Sequence, residues 1–419
     1  MKQLFTICLS LFLISNSRAQ MPQTDANGRY YYTDDNGSKR LPKLGVWKKA
    51  DLFMDRFARV QDAQGRDLLL ENTGKTYPLA VTPDKITPQT KALDLGFYQG
   101  STLPSHIWKA TQLEILILPR FITVIPSGIG QLKQLKYLRL EMSKVTAIPP
   151  EIGQLRQLQY LKLNMCAIAS LPPEIGQLKR LKDLDLGFNQ VVKLPREIGQ
   201  LTNLENLNLT KNKLLFLPKE IGQLKKLDWI GLNMNKLRDL PAEFGNLANL
   251  TRMSLQWNGL LVLPPEIGNL RKLKSLSLRF NHLMTIPKEI GKLTQLEFLD
   301  LTRNQLSKLP ASIGRLKSLE SLNLTWNKFQ TLPQALTKLK KLKTLELFRN
   351  KFTTVPKILT QLKSLRELTL GMNTITDLSL LKQLTNLKML SLSSMDISSE
   401  DQRKIRGWLP NCQVKFKLF

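Results

Sequence analysis

Residues 181–203, LKDLDLGFNQVVKLPREIGQLTN, contain the 23-residue repeat that decides the fold. Asn occurs nine times at this interval without insertion or deletion. Leucine or another apolar residue lies eight, five and three positions before each Asn, and two and five positions after it. Apolar residues also lie nine and twelve positions after every Asn of the column except Asn373. The Asn column consists of Asn189, Asn212, Asn235, Asn258, Asn281, Asn304, Asn327, Asn350 and Asn373. Self-similarity at this fixed period predicts a solenoid of stacked repeats.

Each repeat begins with a short strand. Leu184-Asp185-Leu186 alternates apolar and polar residues, so one face of this segment is expected to be buried. A strand this short cannot bury its leucines alone, but stacked repeats would form a parallel ladder with a continuous core. The Asn side chain carries a donor and an acceptor, so we expect it to satisfy the turn after the strand. Cys166 and Ser143 occupy this column in earlier repeats.

The second half of the repeat predicts the outer side of the solenoid. In most repeats a Pro follows the apolar residue that lies five positions after the Asn, and it prevents further strand pairing. The Glu-Ile-Gly-Gln-Leu segment suits one turn of 3₁₀ or α helix. Strands pack about 4.8 Å apart and the outer turns need more room. We therefore expect a curved α/β solenoid with a parallel sheet on the concave side and short helical turns on the convex side.

The combined pattern, L-x-x-L-x-L-x-x-N-x-L followed by L-P-x-E-I-G-x-L, resembles leucine-rich-repeat proteins. It is similar to the Ras-group and bacterial exported members of that family. The resemblance covers residues 89–397, in which about 14 repeats can be counted. It implies that the chain binds a partner, most simply a protein, on the concave face. Some relatives carry an appended enzyme domain, but the flanking segments are short, so we expect a non-enzymatic protein.

Residues 1–19 read as a secretory signal peptide. Lys2 supplies the positive charge, Leu4 to Ile14 the apolar stretch, and Ser17-Arg18-Ala19 a cleavage site near Ala19. This stretch is too short to span a bilayer, and no other segment is expected to be transmembrane. We expect export to the periplasm, the cell surface or the medium. A buried first helix is the alternative, and an uncleaved leader would favour an intracellular signalling scaffold.

The segments that flank the repeats are expected to be caps. Residues 20–88 contain hairpin signals at Asn27-Gly28, Asn36-Gly37, Gln64-Gly65 and Thr73-Gly74. They predict a β-rich segment that is either an N-terminal cap or a separate recognition module. Residues 398–419 predict a C-terminal cap. Its helix would begin with a capping box of Ser399 and Gln402, end near Trp408, and be followed by a short strand.

The composition argues against catalysis and metal binding. The chain has only two His and three Cys and shows no Cys cluster, so a zinc site is not expected. His106 and His282 are expected to be exposed residues rather than general bases. The glycines recur once per repeat, which is structural, and form no phosphate-binding loop. We therefore expect no cofactor and no metal ion.

Candidate partner-binding residues lie between the leucines. The residue before each Asn is unusually often aromatic, Met or Arg, which are residue types enriched at interface cores. Further candidates are nearby outward residues. The alternative is that this column packs against the neighbouring strand or turn and binds no partner. The candidate set is Phe188, Trp229, Met234, Arg252, Trp257, Arg279, Phe280, Arg303, Trp326, Phe348 and Arg349.

The formal net charge of +29 suggests a second type of partner. Basic residues recur in the Gln-Leu-Lys part of the repeat, on the predicted outer side. They include Lys133, Lys179, Arg180, Lys225, Lys226, Arg271, Lys272, Lys317, Lys340, Lys341 and Lys363. This row is most simply a solvated face. The alternative is an anionic polysaccharide or membrane surface. Nucleic acid is not expected, because the row lacks interleaved aromatic residues.

Overall fold

The computed structural model describes residues 22–32, 45, 47–51 and 55–417. The predicted leader, the Asn36-Gly37 turn and the last two residues lie outside these ranges. The chain divides into two compact units. Unit 1 comprises residues 1–122 and 128–140, and unit 2 comprises residues 123–127 and 141–419.

Unit 1 combines hairpins with the first parallel strands. Strands β1 and β2 are antiparallel, β3 to β6 form an antiparallel sheet, and β6 pairs in parallel with β7, which continues through β8 to β9. The strands are β1 Pro22–Thr24, β2 Tyr30–Tyr32, β3 Lys49–Ala50, β4 Phe57–Gln61, β5 Asp67–Glu71, β6 Thr76–Ala80, β7 Ala92–Asp94, β8 Ile115–Ile117 and β9 Tyr137–Arg139. Gly28, Gly65 and Gly74 have positive φ in the connecting turns.

The hairpins of unit 1 pack on its parallel strands. Arg59 Nε on β4 donates to Asp94 Oδ2 on β7 at 2.6 Å. The Phe57 ring meets the Tyr137 ring edge-on, with 4.8 Å between the centroids. These contacts, with the pairing of β6 and β7, make the hairpins and the first repeats one continuous sheet and core.

Unit 2 consists of twelve parallel strands, each paired with the next. They are β10 Tyr160–Lys162, β11 Asp183–Asp185, β12 Asn206–Asn208, β13 Trp229–Gly231, β14 Arg252–Ser254, β15 Ser275–Ser277, β16 Phe298–Asp300, β17 Ser321–Asn323, β18 Thr344–Glu346, β19 Glu367–Thr369, β20 Met389–Ser391 and β21 Gln413–Lys415. The strands begin one residue earlier than the Leu-x-Leu pattern predicts, because the residue before the central leucine also joins the ladder.

The outer segments of the repeats are 3₁₀ helices of five residues, such as Arg196–Gln200. Pro195 precedes this helix, and its carbonyl accepts from Ile198 N–H at 3.1 Å. Bonds from residue i+3 to residue i are the 3₁₀ pattern, so these turns are 3₁₀ and not α-helical. The other 3₁₀ helices of the repeats in unit 2 are Pro150–Gln154, Pro173–Gln177, Lys219–Gln223, Ala242–Asn246, Pro265–Asn269, Lys288–Lys292, Ala311–Arg315, Gln334–Lys338, Lys357–Gln361 and Ser379–Gln383.

An α-helix, α1, spans Ser399–Trp408 and is followed by β21. The predicted capping box is wrong by one residue. Ser398 is the N-cap, and its hydroxyl accepts from Asp401 N–H at 3.0 Å. Gln402 Nε2 donates instead to the carbonyl of Ile397 at 2.9 Å. The shift occurs because Ser398 and Ser399 are adjacent, and Asp401 completes the cap from Ser398.

The Asn column joins neighbouring repeats of unit 2. Asn258 Oδ1 accepts from Leu237 N–H at 3.1 Å. Its Nδ2 donates to the carbonyl of Leu232 at 2.9 Å and to that of Leu255 at 3.1 Å. Leu237 and Leu232 belong to the preceding repeat. Equivalent bonds are made by Asn189, Asn212, Asn235, Asn281, Asn304, Asn327, Asn350 and Asn373.

Ser143 and Cys166 continue this column with different chemistry. The Ser143 hydroxyl donates to Cys166 Sγ at 3.1 Å and accepts from Val145 N–H at 3.3 Å. The serine therefore satisfies a backbone donor within its own repeat, where an Asn would satisfy a donor of the preceding one.

The residue before each Asn has a left-handed backbone conformation, which the sequence pattern did not predict. Trp257 has φ of 55°, and its N–H donates to the carbonyl of Arg279 in the next repeat at 2.9 Å. A non-glycine residue pays about 1–2 kcal/mol for this conformation. No member of the column is β-branched, consistent with the steric penalty. The other members in unit 2 with positive φ are Met142, Met165, Phe188, Lys211, Met234, Phe280, Arg303, Trp326, Arg349, Met372 and Ser394.

Asn258→Ala is expected to destabilise unit 2, because it leaves Leu237 N–H buried without a partner. The expected loss is about 1–3 kcal/mol of the free energy of unfolding, measured by urea denaturation. Asn249→Ala is the control, since Asn249 donates to the carbonyl of Lys225 in an exposed setting. Equal losses for both variants would contradict the role of Asn258.

Lys211→Val is expected to lower the free energy of unfolding by about 1–2 kcal/mol, because a β-branched residue tolerates positive φ poorly. Lys211→Gly removes the steric cost and should leave stability nearly unchanged. Lys213→Val, an exposed position outside the positive-φ set, is the control. The backbone interpretation fails if the two valine variants melt at the same temperature.

Candidate functional site

The strands of unit 2 present alternating side chains on the face opposite the buried leucines, which we call the strand face. Trp229 and Arg252 lie here, at the first positions of β13 and β14. A Cβ atom added to Gly231 would lie 2.8 Å from the Trp229 ring, so the ring packs over this glycine. Arg252 forms an ion pair with Asp228 at 3.2 Å. Both predicted residues are therefore accessible on the sheet, with fixed neighbours.

Arg279 and Phe348 lie just beyond the ends of their strands. Arg279 Nε is 3.4 Å from Asp300 Oδ2, and its guanidinium lies 5.6 Å from the centroid of the Phe280 ring. Phe348 lies against Gly371, where an added Cβ would come within 3.0 Å of the ring. The structure thus places Arg279 between the strand face and the left-handed turns.

Five residues of the left-handed column form a continuous stack, which we call the aromatic–arginine stack. The Trp257 and Phe280 rings are parallel, with centroids 3.7 Å apart. Arg303 lies 4.9 Å from the Phe280 centroid and 3.9 Å from the Trp326 centroid. The guanidinium of Arg349 lies 3.5 Å from the centroid of the same Trp326 ring. The identical turn in successive repeats brings these side chains together.

The stack remains accessible although its members support each other. Half of the Trp257 side-chain surface is exposed, at 50%. Trp257, Phe280, Arg303 and Trp326 of the stack line an open groove of about 500 Å³. His282 and Gln305 also line this groove. Aromatic pairs and cation–π contacts contribute about 0.5–1.5 kcal/mol each. The geometry therefore gives a surface whose rings and guanidinium groups are held in place before any partner binds.

The remaining candidates and the two histidines are not members of this stack. Phe188 lies in the same column but five repeats before Arg303, the nearest arginine of the stack, with Lys211 Nζ 4.9 Å from its ring centroid. Met234 is half-buried next to Trp257 in the column. His106 is exposed, and its Nε2 lies 2.9 Å from the carbonyl oxygen of Pro83. His282 is exposed in the groove beside the stack.

A carboxylate cluster occupies the strand face near the beginning of unit 2. Asp185 Oδ1 accepts from Gly187 N–H and from Asn208 Nδ2, both at 2.9 Å. Lys162 Nζ lies 3.0 Å from Asp183 Oδ1. Burial raises the pKa of Asp185 to about 6; the nearby Asp183 adds to this rise, whereas Lys162 and the Gly187 N–H oppose it.

An exposed apolar strip was not anticipated. Its side chains are 43–62% exposed and occupy the third and fourth positions after Asn in several repeats. The sequence signal is an apolar pair where the repeat elsewhere has polar residues. The strip consists of Val192, Leu215, Phe216, Leu261, Val262 and Met284.

Over the residues that the structure describes, no helix is long and apolar enough to cross a bilayer. In the same ranges, no group of three or more His, Cys, Asp or Glu side chains is placed to hold a metal ion.

The stacked parallel strands, 3₁₀ turns and Asn hydrogen bonds define a repeat solenoid. Sequence models agree: one for the leucine-rich repeat region matches residues 127–215 and 285–413, and another for the leucine-rich repeat matches residues 202–260 and 248–306. A leucine-rich-repeat protein of Leptospira interrogans is 38% identical with a TM-score of 0.65, covering 78% of this chain and 90% of that one. The chain belongs to the leucine-rich-repeat family.

Two further solved structures are similar. The ectodomain of the Arabidopsis thaliana receptor kinase GASSHO1/SCHENGEN3, in complex with CASPARIAN STRIP INTEGRITY FACTOR 2, is 28% identical with a TM-score of 0.55, covering 73% of this chain and 41% of that one. An internalin of Listeria monocytogenes shares the fold at 21% identity, with a TM-score of 0.62 and coverage of 78% and 91%. The comparison with curated proteins returned no match. This scaffold is typical of protein–protein recognition, and its members are generally non-enzymatic.

Asp185→Asn is expected to stabilise the protein near neutral pH. The raised pKa means that the folded state binds the proton more tightly, so stability falls as pH rises from about 4 towards 6. The amide keeps an oxygen for both hydrogen bonds but carries no charge. The gain should be on the order of 1–3 kcal/mol at neutral pH and should shrink towards about pH 4.

The check is the melting temperature as a function of pH, with Asp239→Asn as a control at an exposed aspartate. A gain for Asp185→Asn that does not change with pH would refute the burial argument.

Proposed function

We propose that this chain is a non-enzymatic recognition scaffold that binds a protein partner through the strand face and the aromatic–arginine stack. The observation that carries the proposal is the stack itself, from Trp257 to Arg349, which remains accessible beside an open groove. Trp and Arg supply a large share of binding energy at protein interfaces.

Preorganisation supports a binding role for the stack. A side chain that must be ordered on binding costs about 0.5–1.5 kcal/mol. Trp326 lies between the guanidinium groups of Arg303 and Arg349, at 3.9 and 3.5 Å from its ring centroid. These contacts already restrict the ring, so a partner would bind a surface with little entropy left to lose.

The neighbouring strand face supplies polar groups at the rim. Arg252 and Arg279 are half-exposed and each has a carboxylate partner, Asp228 and Asp300. Trp229 and Phe348 add ring surface over glycines. An apolar and aromatic centre with a polar rim is the usual composition of a protein interface. Among similar proteins, the plant receptor ectodomain has been solved with a bound factor, which agrees with this proposal.

We further propose that the protein acts outside the cytoplasm, with residues 1–19 as a leader cleaved near Ala19. The similar structures include an internalin and a receptor ectodomain, which agrees with export. For residues 20–88 we propose the capping role rather than a separate module. The pairing of β6 with β7 and the Arg59–Asp94 ion pair support it. Residues 398–419 are proposed as the opposite cap.

Replacing both Trp257 and Trp326 by Ala is expected to abolish partner binding. Each is a hot-spot residue type, and truncation at a hot spot costs about 2 kcal/mol or more, which is at least roughly thirtyfold in Kd. The partner would be captured from extracellular protein extracts and identified. Its Kd for the purified exported chain would then be measured by surface plasmon resonance. The melting temperature should change little, since the rings are partly exposed.

Leu215→Ala/Met284→Ala is the matched control, because both residues are exposed apolar side chains outside the stack. Its Kd should equal that of the unmodified chain. The proposal fails if the control loses as much affinity as the tryptophan variant. It also fails if the tryptophan variant retains binding, or if its free energy of unfolding falls so far that the rings belong to the core.

A further inference from the structure

The 3₁₀ turns of unit 2 change the sign of their charge along the chain. In a 3₁₀ helix, residues three apart lie on the same face. Glu174 therefore shares a face with Gln177, and Glu266 shares a face with Asn269, so these two faces are acidic. In two later turns Arg315 shares a face with Ser312 and Lys338 shares a face with Ala335, so these faces are basic. We call the glutamates at the second position of these turns the glutamate column. It ends at Glu289, because the next two turns have Ser312 and Ala335 at this position, while the basic residues continue. Its members are Glu151, Glu174, Glu197, Glu220, Glu243, Glu266 and Glu289.

The basic residues gather where the glutamates are missing. We call this set the basic patch: Arg315, Lys317, Lys338, Lys340, Lys341 and Lys363. All six are exposed. None forms an ion pair with a carboxylate in the described ranges, whereas the nearby Lys343 pairs with Glu320 at 2.7 Å. Lys317 Nζ donates only to the carbonyl of Lys338, at 3.4 Å. The positive charge of this patch is therefore not in direct contact with a carboxylate of the described residues.

We propose that the basic patch binds a linear anionic polysaccharide lying along the stacking direction of the repeats. The patch covers consecutive turns, so it presents charges at the spacing of the repeats rather than at a single point. Accumulated charge of one sign attracts polyanions, and binding releases their counterions.

The surroundings favour a polysaccharide over other polyanions. The exposed apolar strip ends at Met284, before the patch begins, so no large apolar side chain is available there to enter a lipid layer. The 3₁₀ helices Ala311–Arg315, Gln334–Lys338 and Lys357–Gln361 contain no aromatic residue, although stacking aromatics are typical of sites for single-stranded nucleic acid. Arg315 and Lys338 end their 3₁₀ helices, and the other four residues lie in the turns that follow such helices. None of the six lies on a strand, so the patch is separate from the proposed protein site.

Charge reversal tests the patch with size-defined heparin oligosaccharides as the probe. For the variant Arg315→Glu/Lys317→Glu/Lys340→Glu, the Kd for heparin at about 0.15 M salt should rise by a factor on the order of ten or more. The matched control is Lys225→Glu/Lys226→Glu/Arg271→Glu, which alters the same formal charge at exposed residues beside the glutamate column. The control should lose less than about threefold, because its glutamates already weaken the local field.

A reciprocal variant, Ser312→Glu/Ala335→Glu, removes no basic residue and restores the glutamate column. It should also weaken heparin binding, and it keeps the test valid if the triple variant folds poorly. The proposal is overturned if the unmodified chain does not bind heparin, or if the control triple loses as much as the patch triple. Binding to vesicles of anionic lipid without binding to heparin would overturn it as well.

Discussion

The hydrogen bonds of the Asn column are the constraint on which the rest of unit 2 depends. After each short strand the backbone must turn, and its N–H and C=O groups lose their partners in the sheet. Asn258 satisfies one donor and two acceptors in this region, at 2.9–3.1 Å, and two of these groups belong to the preceding repeat. One side chain therefore both satisfies the turn and joins two repeats, so the place of the Asn within the repeat is fixed.

The left-handed residue before the Asn is the second part of the same device. Its backbone conformation is costly for residues other than glycine, but bonds such as that from Trp257 N–H to the carbonyl of Arg279 hold it. Because every repeat makes the same turn, these side chains become neighbours and stack. The accessible surface of the stack is thus a consequence of the ladder, and the residues that vary within it can serve recognition without disturbing the core.

The fold could be predicted well from the sequence, but the surfaces could be predicted only in part. The period, the leucine positions and the Pro residues indicated parallel strands and short helical turns, since these depend on local pattern and burial. The pattern left open whether those turns are 3₁₀ or α-helical. The left-handed conformation at Phe280 could not be read from its residue type, because glycine is absent from that column. The cap at Ser398 was misplaced because two adjacent serines can serve. The change of charge at Ser312 became visible only once the turns fixed which residues share a face.

Native-state hydrogen exchange can measure whether the Asn column holds the repeats together. The N–H groups of Val191, Leu214, Leu237 and Leu260 donate to the Asn side chains of the next repeat. We expect these N–H groups to exchange only when repeats unfold, as slowly as the amides of the strands. Exchange at the rate of exposed turn amides, such as Lys226 N–H, would show that the Asn bonds do not hold the repeats together.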